Sequence, residues 1–301
     1  IAAAAMSELA EVETGEQITR RSASNLALSF IALEKPRRKA MTTLYAFCRQ
    51  MDDVADEDSS PLESRRVALQ GWRDDVQRAC DGGAPQKPLV RELQPVIDQY
   101  GLQFEHFDEL IKGLESDLEQ DRIESFEDLE LYCYRVASAV GLLSVEVFGY
   151  RDAKCQDYMV ALGKSLQYTN ILRDIGNDAE RGRIYLPQEA MEKFGVEPRS
   201  ILNGKYSTAF HNLAAEMAVR ARQHFQNTVE LLPAGDRRSM IAGECMAAVY
   251  WRILRALEKA KFRSSLDPVP LKLSKFTKLS VLLGVWSRIF FRSSSPNYGR
   301  D

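Results

Sequence analysis

Between Leu129 and Gly149 the chain reads LELYCYRVASAVGLLSVEVFG, apolar on most sides, with Ala137, Ser138, Ala139 and Gly141 at its centre. A helix that is apolar all round has no face to turn toward water, so other elements must wrap it. Its small side chains let those neighbours approach closely, or leave room for a cavity. That segment demands a bundle, and the rest of the chain supplies one. Helical periodicity runs nearly throughout, and no convincing alternating strand is found. With 17 Gly and 11 Pro in 301 residues, turn residues are too sparse for an all-β chain. The length suffices for one large core. The expected class is all-α, one domain of about ten helices, with the apolar segment central and either closely packed or lining a cavity.

Helix boundaries are marked locally. Ser60-Pro61 followed by Glu63 predicts an N-cap and a helix to about Ala79. Asp81–Pro88, DGGAPQKP, is a loop. Ser125 with Asp128 resembles a capping box for the apolar segment. Further helices are predicted over Ala153–Asp178, Ser207–Leu232 and Asp236–Lys261. The five cysteines form no CxxC pair and are odd in number, as for reduced thiols packed in helices of a cytosolic protein. The three histidines lack a metal-ligand spacing, and the chain carries no G-x-G-x-x-G, Walker loop or G-x-S-x-G. IAAAA ahead of Met6 reads as a cloning remnant rather than a signal peptide.

Two acid clusters remain. CRQMDDVADED (48–58) places Asp52 and Asp56 four residues apart, so on a helix they share a face. NILRDIGNDAERGRIYLP (170–187) repeats the spacing with Asp174 and Asp178. Like charges at that spacing repel. Arg49, Arg173, Arg181 and Arg183 lie close by in sequence, and acids so mixed with arginines fit a solvated, ion-paired surface. They equally fit a Mg²⁺-diphosphate site. Mg²⁺ takes one or two carboxylates plus phosphate oxygens and water, and the arginine fork grips the remaining phosphate oxygens. Such a site promotes departure of diphosphate from carbon. A resulting allylic cation needs a dry, aromatic-lined cavity; Phe30, Tyr45, Phe47, Tyr132, Tyr134, Tyr168 and Tyr250 are candidates, or core residues.

LYAFCRQMDDVADE (44–57) and LQYTNILRDIGNDAERGRIYLP (166–187) strongly resemble the two signatures of the squalene/phytoene synthase family. LYCYRVASAVG and VPLKLSK extend a weaker similarity over most of the chain. The resemblance implies the isoprenoid-synthase fold, a single catalytic domain over 19–268, and head-to-head (1′-1) condensation of two prenyl diphosphates through a cyclopropyl-carbinyl diphosphate. It implies Mg²⁺, with Mn²⁺ as a substitute, on Asp52, Asp53 and Asp56 on one wall and on Asp174 and Asp178 on the other. Gln167 and Asn170 would hold substrate or metal-bound water. Arg49 and Arg173 would grip diphosphate, with Tyr45, Arg183 and Tyr250 nearby and Lys272 or Lys275 closing over it. Asp117 falls at an acidic position of the family, where a solvated helix acid is the competing reading. Tyr132, Val136, Ala137, Val140 and Gly141 would line the prenyl tunnel. The N-terminal segment departs from the family pattern, with Leu26 and Glu34 where Phe and Pro are common, so Ser22, Ser24 and Asn25 are open as phosphate or lid residues. Asp52→Asn or Asp174→Asn should abolish turnover, with the fold nearly intact or slightly stabilised.

DDVAD also satisfies the DDxxD of head-to-tail elongases and class I cyclases, but the second motif, Q-x-x-N-x-x-x-D-x-x-x-D, separates them. A non-catalytic assembly factor on the same fold is the alternative from another class; intact acid clusters argue against it. Phe30 could block a deep tunnel and favour fifteen-carbon chains, while Thr42 leaves room. The expectation is two farnesyl diphosphates to presqualene diphosphate and on to squalene or dehydrosqualene, the products that feed hopanoids and carotenoids. Geranylgeranyl diphosphate to phytoene is the runner-up. Use of NADPH and oligomeric state stay open.

Charge is uneven. From Lys259 onward nine Lys/Arg face two Asp/Glu, leaving 31 basic against 41 acidic residues before it. A basic tail on an acidic body suggests an anionic surface rather than nucleic acid. LSVLLGVWSRIFF (279–291) is too short to span a bilayer. It reads either as a last core helix or, over 269–301, as a peripheral helix at the inner face of the membrane of a cytoplasmic enzyme. Residues 1–18 read as an N-terminal tail.

Overall fold

The computed structural model describes residues 29–57, 59–119, 122–292 and 294–298; residues 1–18, Ser22, Ser24 and Asn25 lie outside them. The chain is all-α. Among the described residues, β structure is limited to one isolated bridge between Arg122 and Ile184. The chain divides into two compact units, Ile1–Phe104 and Glu105–Asp301.

In the first unit, Pro36 in the first turn opens helix α1 (Lys35–Ala55). Its buried residues Ala40, Leu44, Phe47, Met51 and Ala55 recur every three or four positions, forming one core-facing stripe. Helix α2 (Leu62–Cys80) begins one residue later than Ser60 would place it, with Pro61 at the N-cap. Helix α3 (Pro88–Tyr100) closes on Gly101 in the left-handed region, which a residue with a Cβ rarely adopts. The loop before α3 is held by Asp75, almost wholly buried. Its carboxylate accepts from Gln86 N and Lys87 N, both at 2.8 Å, and from Arg78 Nη1 at 2.7 Å.

The second unit begins within helix α4 (Phe104–Glu119). The Ser125 capping box forms as expected, with Asp128 completing it, and opens α5 (Phe126–Cys133). The apolar segment is not a regular helix. A π-helical turn, Tyr134–Ser138, separates α5 from α6 (Ala139–Phe148). The run Phe126–Phe148 is long and apolar enough to cross a membrane, but most of its apolar window is buried inside the protein, where sequence placed a core helix.

Helix α7 (Lys154–Glu180) is the axis of this unit, packing on the π turn, α6, α10 (Thr208–Leu231) and α11 (Ile241–Lys259). Gly163 sets the spacing. A Cβ there would lie 2.6 Å from Ser138 Cα and 2.8 Å from Ala137 C, so the small residues do admit a close neighbour. Short helices α8 (Gln188–Phe194) and α9 (Pro198–Leu202) follow α7. Ser207 caps α10. Helix α11 starts five residues later than predicted, because Asp236 is buried accepting from Arg151 N and Asp152 N at 3.0 and 3.1 Å. Helix α12 (Lys275–Ser287) and a final π turn (Arg288–Arg292) pack one face on α11. All five cysteines are free, and four are buried.

Candidate active site

The carboxylates of the first motif stand at the end of α1. Asp52 and Asp53 occupy its last turn, and Asp56 is the C-cap, its N–H bonded to Asp52 O. No basic residue lies in that turn, so three acids collect at the negative end of a helix dipole. Each such placement costs about 0.3–1 kcal/mol, and mutual repulsion adds to it. A divalent cation would reverse both terms. Arg49 Nη2 is 2.6 Å from Asp53 Oδ1, whereas its Nη1 is 3.9 Å from Asp52 Oδ2; it leans on Asp53 more than on Asp52. Phe30 is buried and meets Tyr45 edge-on at 6.2 Å. Its turn is held by Arg38, a residue the sequence did not single out, whose guanidinium donates to the carbonyls of Phe30, Ile31 and Leu33. The Thr42 hydroxyl is turned back to Arg38 O at 2.9 Å.

The second motif lies in the last turns of α7. Gln167, Asn170, Asp174 and Asp178 follow at steps of three, four and four, so they share a face. Arg173 and Asp174 pair bidentately, Nε to Oδ1 at 2.7 Å and Nη2 to Oδ2 at 2.5 Å. Burial opposes the Arg173 charge, but its bonds to Asp174 and Tyr250 outweigh that and hold the guanidinium firmly protonated. Asp178 behaves oppositely. Burial, followed by the charge of Asp174, pushes its carboxyl up to about 7. Asn170 donates to Gln167 Oε1 at 3.3 Å, while its own Oδ1 is buried with no hydrogen-bond partner. Lys278 on α12 is pushed below the ordinary lysine range by burial, then by the charges of Lys272 and Arg173. Cations from three stretches therefore gather at this end of α7; Lys275 is exposed.

Among the described residues no three His, Cys, Asp or Glu side chains converge as a complete metal cage. Mg²⁺ needs none, because it keeps waters and borrows phosphate oxygens. An orphaned hard oxygen on Asn170 and a carboxyl raised by burial and by Asp174 are what a cation would satisfy. The donor set fits Mg²⁺ held jointly with diphosphate.

Asp117 on α4 accepts from Tyr132 Oη at 3.2 Å and Tyr185 Oη at 2.9 Å, and the two rings stack with centroids 5.2 Å apart. Burial, then the Asp117 charge, raises the Tyr132 phenol well above its usual range. These residues line a small cavity with Arg122 and Arg183. Tyr185 and Arg122 were missed from sequence; Tyr185 lies inside the quoted second motif, two residues past Arg183, and chain pairing at the Arg122–Ile184 bridge brings it to Asp117. Val136, Ala137 and Val140 are half-buried, beside the buried Ser138 and Ala139. Gly141 is buried, and a Cβ on it would sit 3.0 Å from Met159 O, so it serves helix contact with α7.

Two candidate aromatics are core. Phe47 and Tyr168 have no solvent exposure. Tyr168 Oη donates to Glu130 at 2.8 Å, as do His224 Nε2 at 2.8 Å and Lys164 Nζ at 2.7 Å, tying α5, α7 and α10 together. Burial raises the Glu130 carboxyl, but the bonds from His224, Lys164 and Tyr168 prevail and hold it at about 2. A folded value below the unfolded one stabilises the fold fully above about pH 4.5, and that contribution drains away as pH falls toward 2. Glu130→Gln is expected to lower the thermal midpoint at pH 7, by about 2–4 °C for each kcal/mol lost. The gap to wild type should narrow below pH 4.5 in a circular-dichroism pH series; a gap constant with pH would refute the assignment.

Residues 19–277 match the family model described as squalene/phytoene synthase. A presqualene diphosphate synthase from Rhodopseudomonas palustris is 39% identical over 83% of this chain and 88% of its own. One from Sinorhizobium fredii is 36% identical over 86% and 91%. A 15-cis-phytoene synthase from Synechocystis is 31% identical over 87% and 82%. Among solved structures, a ligand complex of a dehydrosqualene synthase superposes with a TM-score of 0.81 at 29% identity, covering 91% of this chain and 95% of that one. Squalene synthase HpnC from Alicyclobacillus acidocaldarius gives 0.73 at 27%, over 82% and 94%.

Proposed function

The chain belongs to the squalene/phytoene synthase family, and from that premise we propose that it joins two farnesyl diphosphates head to head and releases presqualene diphosphate. It is a prenyl-condensing enzyme. The observation that carries the choice of product is that relatives at 35–39% identity are named presqualene diphosphate synthases, whereas the phytoene synthases stand at 30–33%. Formation of presqualene diphosphate requires no reductant, so NADPH has no part in this reading. The reaction domain spans 19–268, in the cytoplasm at the inner face of the membrane.

In the proposed site, Arg173 is pre-oriented by Asp174 and Tyr250, and its fork turns to the departing diphosphate together with Lys272 and Lys278. Arg49 plays the same part at the first motif, and Arg183 lends charge beside Asp178. Mg²⁺, or Mn²⁺ in its place, would be held by Asp52, Asp53 and Asp56 and by Asn170, Asp174 and Asp178, and would supply the charge that makes diphosphate a leaving group. Asp117 fixes the phenols of Tyr132 and Tyr185. Their ring faces offer a surface that stabilises a carbocation without reacting with it. Val136, Ala137 and Val140 give the prenyl chain an apolar wall, with Gly141 behind them.

Incubation with farnesyl or geranylgeranyl diphosphate and Mg²⁺, without NADPH, tests the reading by pyrophosphate release and mass spectrometry. The expected product is a thirty-carbon cyclopropyl diphosphate, with kcat/KM for the longer donor lower by about ten-fold or more. Phytoene as the favoured product would move the assignment to the runner-up, and no pyrophosphate from any donor would refute catalysis.

A further inference from the structure

Helix α12 and the π turn after it carry two apolar faces. The inner one, Val281, Val285 and Ile289, is buried. Its rotation is fixed by the Arg288 guanidinium, which donates to the nearly inaccessible Glu244 carboxylate on α11. The outer one lies in water: Phe276 is 86% exposed, Leu279 55%, Leu283 62%, Trp286 41%, Phe290 42% and Phe291 85%. Five of these recur at steps of three and four and so form one continuous stripe. The stripe cannot turn inward without breaking the Arg288–Glu244 pair. A contiguous patch of this kind marks an interaction surface.

The charges around the stripe identify what it meets. From Pro268 to Gly299 the sequence holds no Asp or Glu; Lys278 is half-buried and Arg288 is paired with Glu244, but Lys272 and Lys275 are exposed. Arg238 adds its guanidinium 5.3 Å from the Phe290 ring centroid. Two copies pairing through this face would set cations against cations with no acid between them. The eighteen residues of 275–292 include four basic ones, so the segment lies in a membrane plane rather than across it.

We propose that this outer face docks on an anionic phospholipid bilayer, with Phe276, Leu279, Leu283, Trp286 and Phe290 seated at the headgroup–acyl boundary and the exposed Lys275 and Arg238 on the headgroups. The inference is independent of the reaction assigned above. Because Lys278 on α12 lies within the field of Arg173, docking would place the diphosphate-gripping end of α7 beside the surface from which a prenyl substrate arrives.

The full chain should float with phosphatidylcholine vesicles containing phosphatidylglycerol at least about ten-fold more strongly than with phosphatidylcholine alone, and salt should weaken the binding. Brominated lipid should quench tryptophan emission, and Trp286→Phe should remove most of that quenching. A Phe276→Ser/Leu283→Ser double variant should lose about ten-fold or more in vesicle binding while its pyrophosphate release in solution is unchanged. The proposal fails if the full chain binds neither vesicle, or if the double variant binds as well as wild type. It also fails if light scattering shows a wild-type dimer that the double variant dissolves, because the face would then belong to a second copy.

Discussion

Asp174→Asn should lower turnover by about 10³-fold or more, equivalent to roughly 4 kcal/mol of lost transition-state stabilisation. The substitution removes charge where a cation would sit, and it removes the partner that orients Arg173. Asn retains one acceptor oxygen but presents an amide NH₂ to the other half of the guanidinium fork. The half-buried Arg173 is then left with Tyr250 and half a partner. From sequence alone the substitution looked neutral or slightly stabilising, because it relieves repulsion with Asp178. The bidentate pair reverses that sign: leaving a buried charge short of its partner costs about 1–3 kcal/mol, more than relief of repulsion between two carboxylates a turn apart returns. Asp52→Asn keeps the original expectation, since the Asp52 side chain is 45% exposed and water can solvate the amide that replaces it. Both variants should lose turnover, but only Asp174→Asn should unfold at a lower temperature. Pyrophosphate release and thermal unfolding measured side by side test this. A variant within ten-fold of wild-type turnover would exclude a metal role for its residue.

Gly163→Ala is the second large effect. In an open helix this change stabilises, by about 1 kcal/mol. Here the added methyl meets Ser138 Cα at 2.6 Å, Ser138 N at 2.7 Å and Ala137 C at 2.8 Å. All three are backbone atoms, so no side-chain rotation clears the space and α7 must back away from the π turn. Overpacking of that kind costs about 1–3 kcal/mol and occasionally more, and with rigid backbone on the far side the upper end applies. The expected net loss is about 2 kcal/mol in urea unfolding. Activity should fall further than stability, because Val136 and Ala137 ride on the same turn and move with it. Unchanged or raised stability would show that the contact between α7 and the π turn opens freely.

Much of this molecule was legible before folding. The Ser125 capping box and the starts of α7 and α10 follow from local chemistry, and each formed within a residue or two of its marker. The matching four-residue acid spacings found the ends of α1 and α7. What escaped was set by partners distant in sequence. Asp236 looked like a helix start, but two backbone amides from residues 151 and 152 claim its carboxylate. Tyr185 looked like part of a turn until the bridge to Arg122 brought it to Asp117. Arg49 could have served Asp52 or Asp53 equally, and only the rotamer decides. Of the tail's two readings, packing of one face of α12 on α11 fits a last core helix, while its other face stays uncovered.

The π turn at Tyr134–Ser138 bears on how one continuous helix can serve two clients. Such a turn carries one residue more than the α-helical count, and at 3.6 residues per turn one residue is about 100° of azimuth. Everything after Ser138 is therefore out of phase with everything before it. Tyr132 can address Asp117 on α4, while Gly141, nine positions on, presents its bare Cα to Met159 on α7. Deleting one residue from this turn would leave composition, hydrophobicity and helix length almost untouched. It would rotate the half that meets Asp117 away from the half that packs on α7, an error of angle rather than of chemistry.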